Sequence, residues 1–232
     1  QERMLGAEHR STLRTISQLG MLYFYKGDYK KADIFFQRAL KAQEYLFGVE
    51  HPDTLTTVGS LGLLYCYERN YEQSKKYYLR ALDAQERILG EEHPNTLTTI
   101  CNLGHTYSYE GDYDKAERHY MRALEANERI LGVEHPDTLN VIQSMGLLYN
   151  HKGDYENSER FYLRALEAHE RLSGSNDAST INVIRNLGTL YIDSGDIRQA
   201  EHLLLRALKG EEQLYGADHH KTLSTVNAVG NM

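Results

Sequence analysis

Histidines at positions 9, 51, 93, 135 and 219 are the side chains of this sequence best equipped for chemistry, because imidazole serves as metal ligand, general base and proton shuttle. The first four are each 42 residues from the next, and the surrounding residues recur with them: "HPDTL" at His51, "HPNTL" at His93 and "HPDTL" at His135. A metal site needs several donors on one ion. Donors a full repeat apart do not converge, so the spacing predicts a capping or connector hydrogen bond for each histidine, with metal binding as the alternative. "DHH" at Asp218 to His220 is denser, but it occupies the most degenerate copy of the motif and is read the same way. No metal and no cofactor is expected.

Other reactive groups are equally bland. Cys66 and Cys101 lack the paired spacing of a disulfide framework or zinc site and read as free thiols, which suits a reducing, cytoplasmic setting. The sequence has no zinc-protease helix motif, phosphate-cradling glycine loop or nucleophile elbow, so an enzyme is not expected. Arginines 38, 80, 122, 164 and 206 and glutamates 44, 86, 128, 170 and 212 also keep the 42-residue spacing. Residues constant in every unit are better suited to joining units than to reading a ligand, and they predict ion-pair or hydrogen-bond ladders.

The 232 residues carry 33 acidic against 26 basic side chains, a net charge of -7. Phosphate binding needs clustered cations, so neither nucleic acid nor a membrane surface is an expected partner. No apolar run approaches the roughly 18 residues that span a bilayer. The sequence starts without Met, and both ends fall inside a repeat, so a piece of a longer array with end-to-end self-association is expected.

The elements that position these residues follow from the same period. Gly20, Gly62, Gly104, Gly146 and Gly188 align, with Tyr23, Tyr65, Tyr107, Tyr149 and Tyr191 three residues later. Further on come Ala32, Ser74, Ala116, Ser158 and Ala200, then Phe36, Tyr78, Tyr120, Tyr162 and Leu204, then Ala39, Ala81, Ala123, Ala165 and Ala207. Within one unit Leu97, Ile100, Leu103, Gly104 and Tyr107 fall at helical spacing behind Pro94, which predicts a first helix, A. "EGDY" breaks it at Gly111, Asp112 is placed as N-cap, and a second helix, B, is predicted from Tyr113 to Leu131 with Gly132 as its stop. The predicted divisions are 1–8 (end of a preceding helix B), repeats at 9–50, 51–92, 93–134, 135–176 and 177–218, and a partial repeat at 219–232 holding helix A alone.

Small residues at Gly20 and Ala32, aromatics at Tyr23 and Phe36, and Ala39 resemble the tetratricopeptide repeat, a helix-turn-helix unit usually of about 34 residues. The lengthened unit, with "LGEEHPNTL" as connector and "RAL" in helix B, looks like the repeats of kinesin light chains, nephrocystin-like proteins and nucleotide-binding immune-type receptors. Departures are local: Ser74 and Ser158 replace a small apolar residue, "SGSNDAST" loses the His and Pro, and Ile or Val stands where shorter repeats have tryptophan. The resemblance implies an all-α fold, a right-handed α-solenoid of tandem helix-turn-helix repeats.

It also implies that helix A lines a concave groove that binds a protein or peptide. Family positions carried onto this frame are Arg14, Thr56, Thr98, Asn140 and Asn182, then Ser17, Gly59, Cys101, Gln143 and Arg185, then Met21, Leu63, His105, Leu147 and Thr189. The last turn adds Phe24 with Tyr25, Cys66 with Tyr67, Ser108 with Tyr109, Asn150 with His151, and Ile192 with Asp193. Asn102 and Asn186 match asparagines that hold bound peptide in kinesin light chains. Candidate peptide-binding residues are therefore Arg14, Met21, Phe24, Tyr25, Leu63, Tyr67, Asn102, His105, Tyr109, Gln143, Asn150, His151, Asn182, Arg185 and Asn186. The Tyr25, Tyr67 and Tyr109 column has a second reading as packing between neighbouring helices. Without a Lys and Arg cluster, a carboxylate clamp is not expected, and an acidic ligand would find only Arg14 and Arg185. A scaffold binding an extended peptide is the leading expectation; a sensor or oligomerisation segment of a larger signalling protein is the alternative.

Overall fold

The structure, a computed structural model, describes residues 9–230, so the expected helix end over residues 1–8 lies outside the described residues. Eleven α-helices and no strand occur among them: α1 (Arg10–Tyr25), α2 (Tyr29–Phe47), α3 (Pro52–Tyr67), α4 (Tyr71–Leu89), α5 (Pro94–Glu110), α6 (Tyr113–Ile130), α7 (Pro136–Lys152), α8 (Tyr155–Ser173), α9 (Ala178–Ser194), α10 (Ile197–Tyr215) and α11 (His220–Gly230). The fold is an all-α solenoid of tandem helix pairs. Two compact units divide the chain, Gln1–His119 and Tyr120–Met232.

Each helix begins where a side chain can serve its unpaired N–H groups. The connector histidines are the N-caps of the first helices. The Asp53 N–H donates to His51 Nδ1 at 3.1 Å, Asn95 to His93 at 3.2 Å and Asp137 to His135 at 3.2 Å. In the divergent connector Asp177 takes over, accepting from the Ser179 N–H at 2.8 Å. The Thr three residues after the cap explains the rest of the motif: Thr54 Oγ1 donates to the Gly48 carbonyl at 2.9 Å, and Thr96, Thr138, Thr180 and Thr222 do the same to glycines 90, 132, 174 and 216. It ties the end of one helix to the start of the next. The second helices are capped by Asp28, Asn70, Asp112, Asp154 and Asp196, each accepting from the N–H three residues on.

Helix A meets helix B through a glycine. A Cβ built on Gly20 would lie 2.6 Å from the Phe36 ring, on Gly62 2.9 Å from Tyr78, on Gly146 2.8 Å from Tyr162, and on Gly188 2.7 Å from Leu204. Those large side chains are buried. One turn away, Tyr65 stacks on Tyr77 with ring centroids 5.5 Å apart, and the same stack recurs as Tyr23 on Phe35, Tyr107 on His119 and Tyr149 on Phe161.

Within the first unit, Phe24, Ala32, Phe36, Leu40, Val58, Leu61, Leu64 and Ala81 form one core cluster. Arg80 of α4 reaches Glu44 of α2 at 2.6 Å, joining successive repeats. Within the second unit, Ile181, Ile184 and Ala207 form a smaller cluster, and Arg164 to Glu128 and Arg206 to Glu170, both 2.5 Å, repeat the ion pair. At these three rungs the Arg and Glu columns form the expected ladder.

Two substitutions probe the frame. Gly62→Ala should lower unfolding free energy by about 1–3 kcal/mol in urea denaturation, because the added Cβ would lie 2.9 Å from the Tyr78 ring and force it to shift. His51→Ala should cost about 1 kcal/mol by the same measurement, and His51→Asp should restore most of it, as Asp177 does natively.

Candidate peptide-binding face

The exposed side of each first helix is set by its own core stripe. In α5, Leu97, Ile100, Leu103 and Gly104 are buried, which leaves Thr98, Asn102, His105 and Tyr109 on the other side. Most residues of the variable rows fall on this side, but Phe24, Cys66 and Ser108 of the last turn are buried.

In the first unit, Arg14 is exposed, and Met21, Leu63, Asn102 and His105 are half-buried. The tyrosine column is open: Tyr25, Tyr67 and Tyr109 are 77%, 58% and 54% exposed. Burial nevertheless raises the Tyr109 pKa. Phe24 differs. It is 8% exposed, part of the core cluster, and covered by Tyr67, whose ring stands edge-on at 5.0 Å. Tyr67 thus packs against a neighbouring helix, the second reading of its column, and is still 58% exposed.

Between α3, α4 and α5 lies a cleft of about 390 Å³. Thr56, Gly59, Thr98 and Asn102 bring it to the exposed side; Leu55, Ile88 and Leu89 supply apolar wall, and Tyr78 and Gln85 line its depth. Glu50 also lines it, with both carboxylate oxygens held by Arg87.

In the second unit the polar candidates bind one another. The Gln143 carboxamide donates to His169 Nε2 at 3.3 Å, Asn182 donates to Gln143 Oε1 at 3.4 Å, and Arg185 donates to Asn182 Oδ1 at 2.7 Å. Arg185 also lies 3.8 Å from the buried Glu211. Asn150 donates to Asp193 at 2.7 Å. Asn186 is half-buried and His151 exposed. Arg185, expected as a partner for an acidic ligand, is thus already engaged by a carboxylate of its own repeat.

His169 and Glu211 belong to a set the sequence reading missed. Gln43, Gln85, Asn127, His169 and Glu211 occupy one position of the second helices, 42 residues apart, and each is buried. The signal was available: a polar residue recurs in register immediately before the ladder glutamate. Oε1 of Gln43, Oε1 of Gln85 and Oε2 of Glu211 have no hydrogen-bond partner.

Among the described residues no group of three or more His, Cys, Asp or Glu could hold a metal, and no helix is long and apolar enough to cross a membrane. Cys66 is buried, which raises its thiol pKa, while Cys101 is only half-buried. Desolvation lowers the His105 pKa to about 4.

The tetratricopeptide repeat family model matches residues 11–67, 53–129, 101–150 and 137–211. The chain belongs to the tetratricopeptide repeat family. Among solved structures, BtubC (BKLC) from P. vanneervenii is 25% identical with a TM-score of 0.74, covering 89% of this chain and 82% of that one. A candidate kinesin light chain of nearly identical TPR-like repeats from Podosopora anserina is 20% identical with a TM-score of 0.74, covering 90% and 99%. A Rap protein complexed with competence and sporulation factor is 14% identical with a TM-score of 0.71, covering 99% and 71%. No curated protein matches in sequence. The array is a protein-interaction scaffold in general terms, of a repeat type that is typically non-catalytic.

His105 gives this face a pH signature. An unfolded imidazole takes its proton near pH 6.5 and the folded one only near pH 4, so stability from neutral His105 is complete above 6.5 and is lost as pH falls towards 4. His105→Leu, which copies Leu63 and Leu147, should flatten the decline of unfolding free energy between pH 6.5 and 4.5. The expected difference is about 2 kcal/mol, allowing for the ring's partial exposure, and urea titrations at both pH values measure it.

Proposed function

We propose that the protein binds an extended peptide segment of a partner protein along the exposed side of its first helices. The cleft between α3, α4 and α5 carries the reading, since Thr56, Gly59 and Thr98 of the variable rows and the family-matched Asn102 all line it. A constant frame holds a variable face. Exposed Tyr25, Tyr67 and Tyr109 offer large rigid contact surfaces beside it, the side-chain type enriched at binding hot spots. The Thr56 and Thr98 hydroxyls, which donate to the Pro52 and Pro94 carbonyls, can still accept from a peptide N–H, and the Asn102 carboxamide can donate or accept, partners that a peptide backbone needs once water is displaced.

The solved Rap protein complex supports a ligand-binding role for such arrays through shared fold alone. Within the second unit, the mutual hydrogen bonds of Gln143, Asn182 and Arg185 make that face a poorer docking surface, because a ligand must first break them. The peptide is placed on the first unit accordingly. Acidic composition argues against nucleic acid, and the two free cysteines fit a cytoplasmic protein.

Peptides selected from a random display library by the wild-type protein test this. Tyr67→Ala combined with Asn102→Ala should weaken the selected peptides about tenfold or more in fluorescence anisotropy, a loss of roughly 1.4 kcal/mol or above, with helical content unchanged. Unchanged affinity would put the binding surface elsewhere.

A further inference from the structure

Gly59 sits inside α3, where a glycine weakens the helix, and nothing requires it there. A Cβ added to it meets nothing within 4 Å, whereas Gly62 one turn on would strike the Tyr78 ring. Its backbone is ordinary helix.

In two repeats of the second unit the side chain at this position reaches the buried polar residue 26 further along, on the second helix of its own repeat, whereas Ser17 turns to Thr57 and leaves Gln43 Oε1 unpartnered. Gln143 hydrogen-bonds His169, and Arg185 pairs with Glu211. Gly59 has no side chain to send to Gln85. Gln85 is 8% exposed, lines the cleft of about 390 Å³, and its Oε1 has no hydrogen-bond partner.

We propose that the cleft beneath Gly59 is a pocket for a neutral carboxamide side chain, glutamine or asparagine, donated by the bound peptide; this rests on the peptide-binding reading of the same face. The ligand supplies the group the chain omits. Gln143 is the internal template, since it fills the equivalent place with a carboxamide. A carboxamide can donate to Gln85 Oε1 while its aliphatic stem lies against Leu55, Ile88 and Leu89. Two other polar groups of the lining are already engaged: both Glu50 oxygens hold Arg87, and His93 Nδ1 caps α5. With Glu50 neutralised, a cationic occupant has no free counter-charge. An apolar occupant would leave Oε1 sealed off without a donor, a costly arrangement that favours an amide over a hydrocarbon of the same shape.

The test selects peptides from one random display library on three baits: wild type, Gly59→Gln and Tyr67→Ala. Wild type should enrich peptides with Gln or Asn at one shared position. Replacing that residue by Met in a synthetic peptide should weaken binding about tenfold. Gly59→Gln should melt no lower than wild type and lose the preference, its own carboxamide having taken the place. A common consensus on wild type and Gly59→Gln that is lost on Tyr67→Ala would keep the face and overturn the pocket. Enrichment of Lys, Arg or an apolar residue at the shared position would overturn the assigned chemistry. A lower melting temperature for Gly59→Gln would make the glycine structural and overturn the proposal. Failure of wild type to enrich any peptide would remove both the face and the pocket.

Discussion

Close approach of paired helices, with Gly20, Gly62, Gly146 and Gly188 each against a large buried side chain, is the contact on which the rest of the structure depends. Gly62 against Tyr78 sets how near α3 can come to α4. That distance allows the neighbouring Tyr65 and Tyr77 rings to stack, and Tyr65 then donates to Asp33 of the preceding repeat at 2.9 Å. Burial and this carboxylate push the Tyr65 pKa up to about 12, so the hydroxyl stays a donor under ordinary conditions. A missing side chain on one helix is thus transmitted into the joint between repeats.

Those joints are otherwise modest. Each Arg to Glu rung is about one-third exposed at both ends, the class of ion pair that contributes roughly 0–1 kcal/mol. Stability in such an array comes from summed nearest-neighbour interfaces, chiefly apolar burial, with the ladder fixing register. The connector threonines add a local constraint. By donating to the carbonyl of the glycine six residues earlier, they hold the turn between repeats in one conformation.

What the sequence made legible was whatever repeats. The helix limits, the capping histidines, the glycine column and the ladder each follow from a residue type held at 42-residue spacing, because a backbone requirement met in one unit recurs in the next. The variable face was read less well. Periodicity says which side of a helix a residue occupies, but not whether a long side chain there stretches outward or folds back. Gln143 and Arg185 fold back onto His169 and Glu211, partners 26 residues away whose own periodicity passed unnoticed. Phe24 was placed on the correct turn yet lies under Tyr67, a residue of the following repeat, which a single-repeat view does not anticipate.

The histidine caps carry a consequence for the chemistry that imidazole suggests. An imidazole that accepts a hydrogen bond at Nδ1 in its neutral form carries its one proton on Nε2. At His51, His93 and His135 the backbone occupies the only nitrogen lone pair of the neutral ring, and the other nitrogen is an N–H. A cation or a substrate proton arriving from solution meets a donor where it needs an electron pair. In these connectors the ring is a structural acceptor, and the fold has removed the nucleophilic and metal-binding character for which histidine is usually noticed.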